Sequence, residues 1–257
     1  MRTPFLAANW KMNLTRREAK NLVEDLVKQC HPLQDREMVI APPFHLLGEV
    51  AGWLQGKANF HLAAQNCHFK DSGAFTGEVS APMLKDIGCH SVIIGHSERR
   101  AMFGETDESC SKKVGAALAQ GLVPILCVGE TLEQSEAGRT REVVVSQTRL
   151  GLQGHSIQGG HQLVIAYEPV WAIGTGKTDT PENANQTMSY IREELSNLFG
   201  ERIAQQVRLL YGGSVKAGNV DALMACHHID GALVGGASLE AESFGRIVQF
   251  QASAAKA

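Results

Sequence analysis

The chain has 257 residues, 44% of them apolar, and a formal net charge of −3. That balance argues against a general polyanion binder, which needs a basic face, so an anionic small substrate has to be held by local donors. The six cysteines, Cys30, Cys67, Cys89, Cys110, Cys127 and Cys226, are scattered, with no CxxC pair and no zinc-ligand spacing, a pattern that reads as reduced thiols in cytosol.

Met1-Arg2-Thr3-Pro4 leads straight into an apolar run without a signal-peptide core, and no apolar stretch approaches the ~18 residues needed to cross a bilayer. The sequons at Asn13 and Asn185 then read as chance matches. The first apolar run, Phe5 to Ala8, ends in Asn9-Trp10-Lys11-Met12-Asn13. Alternation along an extended segment sends Asn9, Lys11 and Asn13 to one side, where an amide and an ammonium could meet an anion. A helical pattern from Thr15 to Cys30 follows, then runs at Met38 to Ala41 and Phe60 to Ala64. The long loop from Asn66 to Val79 carries Phe75 near its tip. A loop of this length either docks on a partner, making an oligomer, or folds back on its own body.

The fourth run, Ser91 to Ile94, hands over to Gly95-His96-Ser97-Glu98-Arg99-Arg100. A histidine between a buried strand and a helical turn lies near positive backbone dipoles, which lower its pKa and keep it neutral at pH 7. Ser97 reads equally as a helix cap. Helical patterns at Asp107 to Gln120 and Arg139 to Leu152 flank the run Val123 to Val128, in which Cys127 is a small buried residue. The other histidines form no metal-ligand set, and His227-His228 point apart if extended.

The sixth run, Leu163 to Tyr167, stops at Glu168-Pro169. Proline keeps the residue before it out of the helical region, so Glu168 is held extended at a strand tip. Val170, Trp171 and Ile173 are apolar for a solvated loop, which reads as a lid ending in Gly174-Thr175-Gly176-Lys177. That ending imitates a P-loop, but Trp171 stands where the first glycine belongs, and GxGxxG fails at Asp179. Thr180 caps a helix with Pro181 at its first position, running to Phe199. Val207 to Tyr211 continues into Gly212-Gly213-Ser214, and Ala232 to Val234 into Gly235-Gly236. Paired glycines let several N–H groups aim at one anion, and a phosphate site after strands seven and eight recurs in barrels.

The eight runs lack period-two alternation, as strands buried on both faces should. Strand and helix alternate at about 32 residues per unit, which predicts an α/β fold, a single (β/α)8 barrel forming one domain over 1–257, with an open doubly wound sheet as the alternative. Its chemistry belongs where strands pass into the following loops.

Asn9-Trp10-Lys11, Gly73 to Glu78, Gly95 to Arg100, Ala166 to Gly176, Tyr211 to Ser214 and Gly231 to Gly236, taken together and in order, resemble the triosephosphate isomerase family along nearly the whole chain. The resemblance implies interconversion of dihydroxyacetone phosphate and D-glyceraldehyde 3-phosphate through an enediolate, without metal or organic cofactor. It implies Glu168 as base, neutral His96 as electrophile, Lys11 as electrostatic stabiliser supported by nearby Glu98, and Asn9 as an orienting group. Gly174, Ser214, Gly235 and Gly236 would give N–H groups to the phosphate under the closed lid, and Leu233 would be an apolar wall beside Glu168. It further implies a homodimer through the loop Asn66 to Val79; the cysteines, net charge and apolar runs described above add a cytoplasmic location with no nucleic-acid or membrane partner. Ala8, where many relatives carry glycine, departs from the pattern without touching a catalytic role. The alternatives are a Schiff-base aldolase using Lys11 and a non-catalytic sugar-phosphate-binding protein.

Overall fold

Eight strands, β1 (Phe5–Asn9), β2 (Glu37–Ala41), β3 (Phe60–Ala64), β4 (Ser91–Ile94), β5 (Val123–Val128), β6 (Val164–Tyr167), β7 (Arg208–Tyr211) and β8 (Gly231–Val234), close into a parallel barrel in chain order. A computed structural model provides this description for residues 2–30, 33–173 and 178–251. Closure comes from β1, which pairs with β2 on one side and β8 on the other, Phe5 lying opposite both Glu37 and Gly231. The doubly wound sheet is thereby excluded, since such a sheet has free edges. Observed strand limits match the apolar runs to within a residue at either end.

The missing alternation has a direct cause. Side chains at Ala7, Val39, Ile93, Ile125, Val164 and Leu210 fill the barrel interior, while their neighbours Leu6, Ile40, Ile94, Leu126, Ile165 and Leu209 pack outward under the helices. Both faces are dry, so both are apolar. Cys127 belongs to the interior set, as expected, and burial pushes its thiol well above the ordinary range.

The helices start where the sequence marks them. Thr180 Oγ1 accepts from Asn183 N at 3.1 Å at the head of Pro181–Phe199, and Thr106 and Ser109 form a reciprocal capping box at the head of Asp107–Ala119. Such a cap contributes about 1 kcal/mol. No helix is long and apolar enough to cross a membrane, among the described residues.

His227 and His228 differ from the extended expectation. The chain turns there, and the rings meet edge to face with centroids 4.8 Å apart. A second pair, His61 and His90, lies at the N-terminal end of the barrel with centroids 4.7 Å apart. Burial first, and then the neighbouring His61, push the His90 imidazole down to about 4. Unfolded, it titrates at ~6.5. Above that pH both states are neutral; as pH falls from ~6.5 toward about 4, the unfolded chain takes up a proton that the native state refuses. Stability therefore declines on acidification through this window. Urea unfolding at about pH 7 and about pH 5 should show His90→Gln losing less stability between the two than the parent chain, with the parent's extra loss roughly 1–2 kcal/mol.

Candidate active site

The C-terminal mouth of the barrel opens into a cavity of about 260 Å³, bordered by Asn9, Lys11, His96 and Glu168 on one side and Ser214, Leu233, Gly235 and Gly236 on the other. These are the residues singled out above, apart from Gly174, which lies with residues 175–177 outside the described residues. They come from β1, β4, β6, β7 and β8 or the loops just beyond them.

Glu168 follows the last residue of β6 and is 2% exposed. Its backbone N–H donates to Val128 O at 2.8 Å, which continues the β5–β6 ladder one step past the strand and sets the direction of the side chain. One carboxylate oxygen, Oε2, accepts from Ser97 N at 2.9 Å. The other, Oε1, lies 3.0 Å from His96 Nε2.

His96 is itself the N-cap of the turn Ser97–Met102, and its Nδ1 accepts from Glu98 N at 3.3 Å. An accepting Nδ1 carries no proton, so the hydrogen sits on Nε2 and points at Glu168. Burial disfavours the imidazolium, but the Glu168 carboxylate and the hydrogen bond to it outweigh burial, and the balance lies above the ordinary histidine value. The sequence argument expected a lowered pKa. Backbone dipoles and burial do act downward, yet a carboxylate in direct contact is the stronger influence in this conformation.

Lys11 reaches the same cavity by a route that alternation does not describe. Its backbone has φ 52°, in the left-handed region that non-glycine residues rarely enter, so the chain leaves β1 by a turn. Asn13 is consequently exposed, its amide donating to Trp10 O at 2.7 Å, and it does not border the cavity. Gln65 secures the turn, donating to Lys11 O and Ala41 O at 2.9 Å each, and Lys11 Nζ pairs with Glu98 Oε1 at 2.7 Å. Gly235 has a matching role. A Cβ there would stand 3.3 Å from Lys11 Cε, so the lysine stem runs where a larger residue would press on it.

The N–H groups of Ser214, Gly235 and Gly236 make no hydrogen bond to another described residue, and all three residues border the cavity. Leu233, from the barrel interior, supplies apolar wall. After Glu168, Pro169 and the turn Val170–Ala172 begin the segment read as a lid. That turn is tied to the barrel through Glu130, whose Oε1 accepts from Trp171 Nε1 at 2.8 Å and Tyr167 Oη at 3.2 Å. Among the described residues no group of three or more His, Cys, Asp and Glu side chains is arranged to hold a metal ion.

Sequence reasoning missed three of these contacts: Ser97 N–H on Glu168, Glu130 under Trp171, and Gln65 beneath Lys11. For Ser97 a signal existed, because its position one residue past His96 at a helix start presents a free N–H. Glu130 and Gln65 offered none, since nothing local relates them to partners tens of residues away.

A family model described as triosephosphate isomerase matches residues 4–251. The chain is 53% identical over 252 residues to a triosephosphate isomerase of Syntrophotalea carbinolica, covering 98% of this chain and 100% of that one. It is likewise 53% identical over 249 residues to that of Carboxydothermus hydrogenoformans, covering 97% and 99%. The crystal structure of triosephosphate isomerase from Bartonella henselae superposes with a TM-score of 0.86 at 39% identity, covering 95% of this chain and 97% of that one.

Proposed function

This chain belongs to the triosephosphate isomerase family and is an isomerase of dihydroxyacetone phosphate and D-glyceraldehyde 3-phosphate, a step of glycolysis, and from that premise we propose how its side chains divide the work. Glu168 takes a proton from the hydroxyl-bearing carbon next to the carbonyl and returns one to the former carbonyl carbon. His96 donates Nε2–H to the carbonyl oxygen and takes back the proton of the neighbouring hydroxyl, shuttling it between the two oxygens, and Lys11 stabilises the enediolate and phosphate charge while Asn9 helps to orient the substrate. Ser214, Gly235 and Gly236, with Gly174, hold the phosphate through N–H groups.

The observation that carries this reading is the 3.0 Å contact of Glu168 with His96 Nε2 beside one small cavity that also holds Lys11. Base, proton donor and cation are within one ligand's reach. When Glu168 leaves His96 for the substrate carbon, the largest influence raising the imidazole pKa departs with it, and burial and Lys11 then act against Glu98 to favour the neutral ring. The Lys11–Glu98 ion pair suits an electrostatic role, whereas a Schiff-base nucleophile would have to give it up. Closing the lid dries the site, which strengthens each electrostatic contact and keeps the enediolate from losing its phosphate. The test is deuterium incorporation from solvent water into dihydroxyacetone phosphate. Exchange by the parent chain and its absence in Glu168→Gln supports the assignment; equal exchange in both would overturn it, and borohydride trapping of substrate on Lys11 would favour the aldolase.

We read residues 1–257 as one domain and the protein as a cytoplasmic homodimer. Six free cysteines, five of them buried, suit a reducing compartment. The dimer reading rests on exposed apolar side chains: Met12 (94%), Phe75 (42%), Met102 (66%) and Phe103 (65%). They stand in the connections that follow β1, β3 and β4, on one side of the barrel, and exposed apolar side chains gathered on one face mark an interaction surface. His68 stacks between Phe69 and Phe75 at 4.4 and 4.1 Å, so the loop is organised by itself and still leaves Phe75 outward. Phe75→Asp should convert a dimer mass to a monomer mass in sedimentation equilibrium at about micromolar protein, because an unpaired buried charge costs several kcal/mol. A parent chain that sediments as a fully active monomer would sink this reading.

A further inference from the structure

The end of the barrel opposite the catalytic mouth holds a second cavity, of about 390 Å³, within the size range of small-molecule sites. Its polar groups stand at the strands' N-terminal ends. Glu37 opens β2, His61 is the second residue of β3, His90 immediately precedes β4, and Arg208 opens β7. Gln162, just before β6, adds an amide, and Leu118, Leu122 and Val123 form an apolar wall. Nothing in the isomerisation chemistry uses any of them.

These groups are short of partners. Arg208 is only 7% exposed, yet among the described residues its one carboxylate partner is Glu37, at 2.7 Å from Nη1. The flat face of the guanidinium rests on the Phe5 ring at 4.6 Å, and the rest of its edge meets no acceptor among the described residues. The His61 and His90 rings touch each other, but neither ring makes a hydrogen bond to a described residue. Gln162 spends its Oε1 on the N–H groups of Gln158 and Gly159 and keeps its amide N–H for another acceptor. The surplus is one of donors that face the cavity beside an apolar wall and are open to an acceptor entering it.

We propose that this cavity binds a small organic monocarboxylate, its carboxylate on the open edge of Arg208 and the ring N–H groups of His61 and His90, its hydrocarbon body against Leu118, Leu122 and Val123. A guanidinium edge matches a planar carboxylate in two parallel hydrogen bonds. Glu37 offsets most of the charge of Arg208, so little attraction is left to offset the larger desolvation cost of a phosphate dianion, and a monoanion is favoured. The catalytic mouth has the opposite preference, with Lys11 and several free N–H groups gathered for a dianion. A metal ion fits poorly, since Arg208 repels it and no third ligand is in place.

Binding is coupled to pH. His61 is held below the ordinary value mainly by burial, and His90 is held at about 4 by burial and by His61. The charged groups facing them are Glu37 from β2, Arg208 from β7 and, toward His90, Lys85 from the helix Ala81–Asp86, with His161 on the rim. A carboxylate set against the two rings favours their protonated forms, so each binding event takes up protons and affinity rises on acidification.

Benzoate is a suitable probe, followed through the ring resonances of histidine-labelled protein whose catalytic mouth is saturated with inorganic phosphate. The expected result is saturable movement of the His61 and His90 signals by one equivalent, with affinity rising about tenfold or more from about pH 7 to about pH 5.5. Arg208→Gln should abolish it. Should that variant not fold, His90→Ala, at a half-buried rim position, should weaken binding about tenfold or more. The proposal is overturned if the two signals stay put up to about 50 mM benzoate, if phosphate displaces the probe, or if His90→Ala binds as tightly as the parent. It stands independently of the catalytic assignment, because neither readout involves turnover.

Discussion

Glu168→Gln is expected to lower kcat by about 10²- to 10⁴-fold with KM changed only a few-fold, as measured in a coupled isomerisation assay. The amide is nearly the same size and shape as the carboxylate, and it can still accept from Ser97 N–H, the bond that measures 2.9 Å in the parent chain. Packing and substrate entry are therefore preserved. What the amide lacks is the ability to take a proton from carbon, so the loss falls on the chemical step. Glu168→Asp separates basicity from placement. It keeps the charge but withdraws it by one methylene, about 1.5 Å, enough to cost on the order of 10²-fold. A Glu168→Gln enzyme with parental kcat would remove the base from the mechanism altogether.

Gly129→Ala should be the most damaging change of a single methyl group. Gly129 follows the end of β5, and a Cβ built on it falls 1.7 Å from the backbone oxygen of Glu168, an overlap that no rotamer can relieve because the backbone fixes the Cβ and the atom it meets is main chain. The ends of β5 and β6 would have to separate, breaking the 2.8 Å bond from Glu168 N to Val128 O. A stability loss of about 3 kcal/mol or more follows from overpacking and the broken ladder. Whatever folds carries Glu168 displaced by about 1 Å, which, with Glu168 as the proposed base, predicts at least about a 10²-fold fall in kcat. Gly48→Ala is the control: it sits in the helix Leu47–Leu54 with nothing within 4 Å of the added carbon, and it should stabilise by about 0.5–1 kcal/mol. Chemical denaturation and the coupled assay read both variants. Equal stability and activity in Gly129→Ala would mean that the strand ends are far more compliant than a closed barrel allows.

The architecture was legible because each of its causes is local. A strand buried on both faces must be apolar throughout, and a helix needs a cap, so Val123–Val128 and Thr180 announce themselves within a few residues. The carboxylate at the tip of β6 and the paired glycines after β7 and β8 were legible for the same reason, each lying one step beyond a recognisable strand. Where local reasoning met a backbone exception it failed. Lys11 turns into the mouth at φ 52° and Asn13 turns away, because Gln65, more than fifty residues distant, holds the carbonyl of Lys11.

The electrostatics divided in the same way. The sequence placed His96 beside a helix start, where it stands, but the direction of its pKa depended on where Glu168 rests, a residue from another strand with its own choice of rotamer. By itself the sequence determined which segments are strands, which residues end them, and hence which side chains can share the barrel mouth. Tertiary structure alone decided which of these touch, how Glu130 and Gln65 brace them, and that His61, His90 and Arg208 gather at the far end. Strand identity follows from burial, a property each residue carries in its own hydrophobicity, whereas a contact between distant residues exists only after the eight strands have closed and fixed their register.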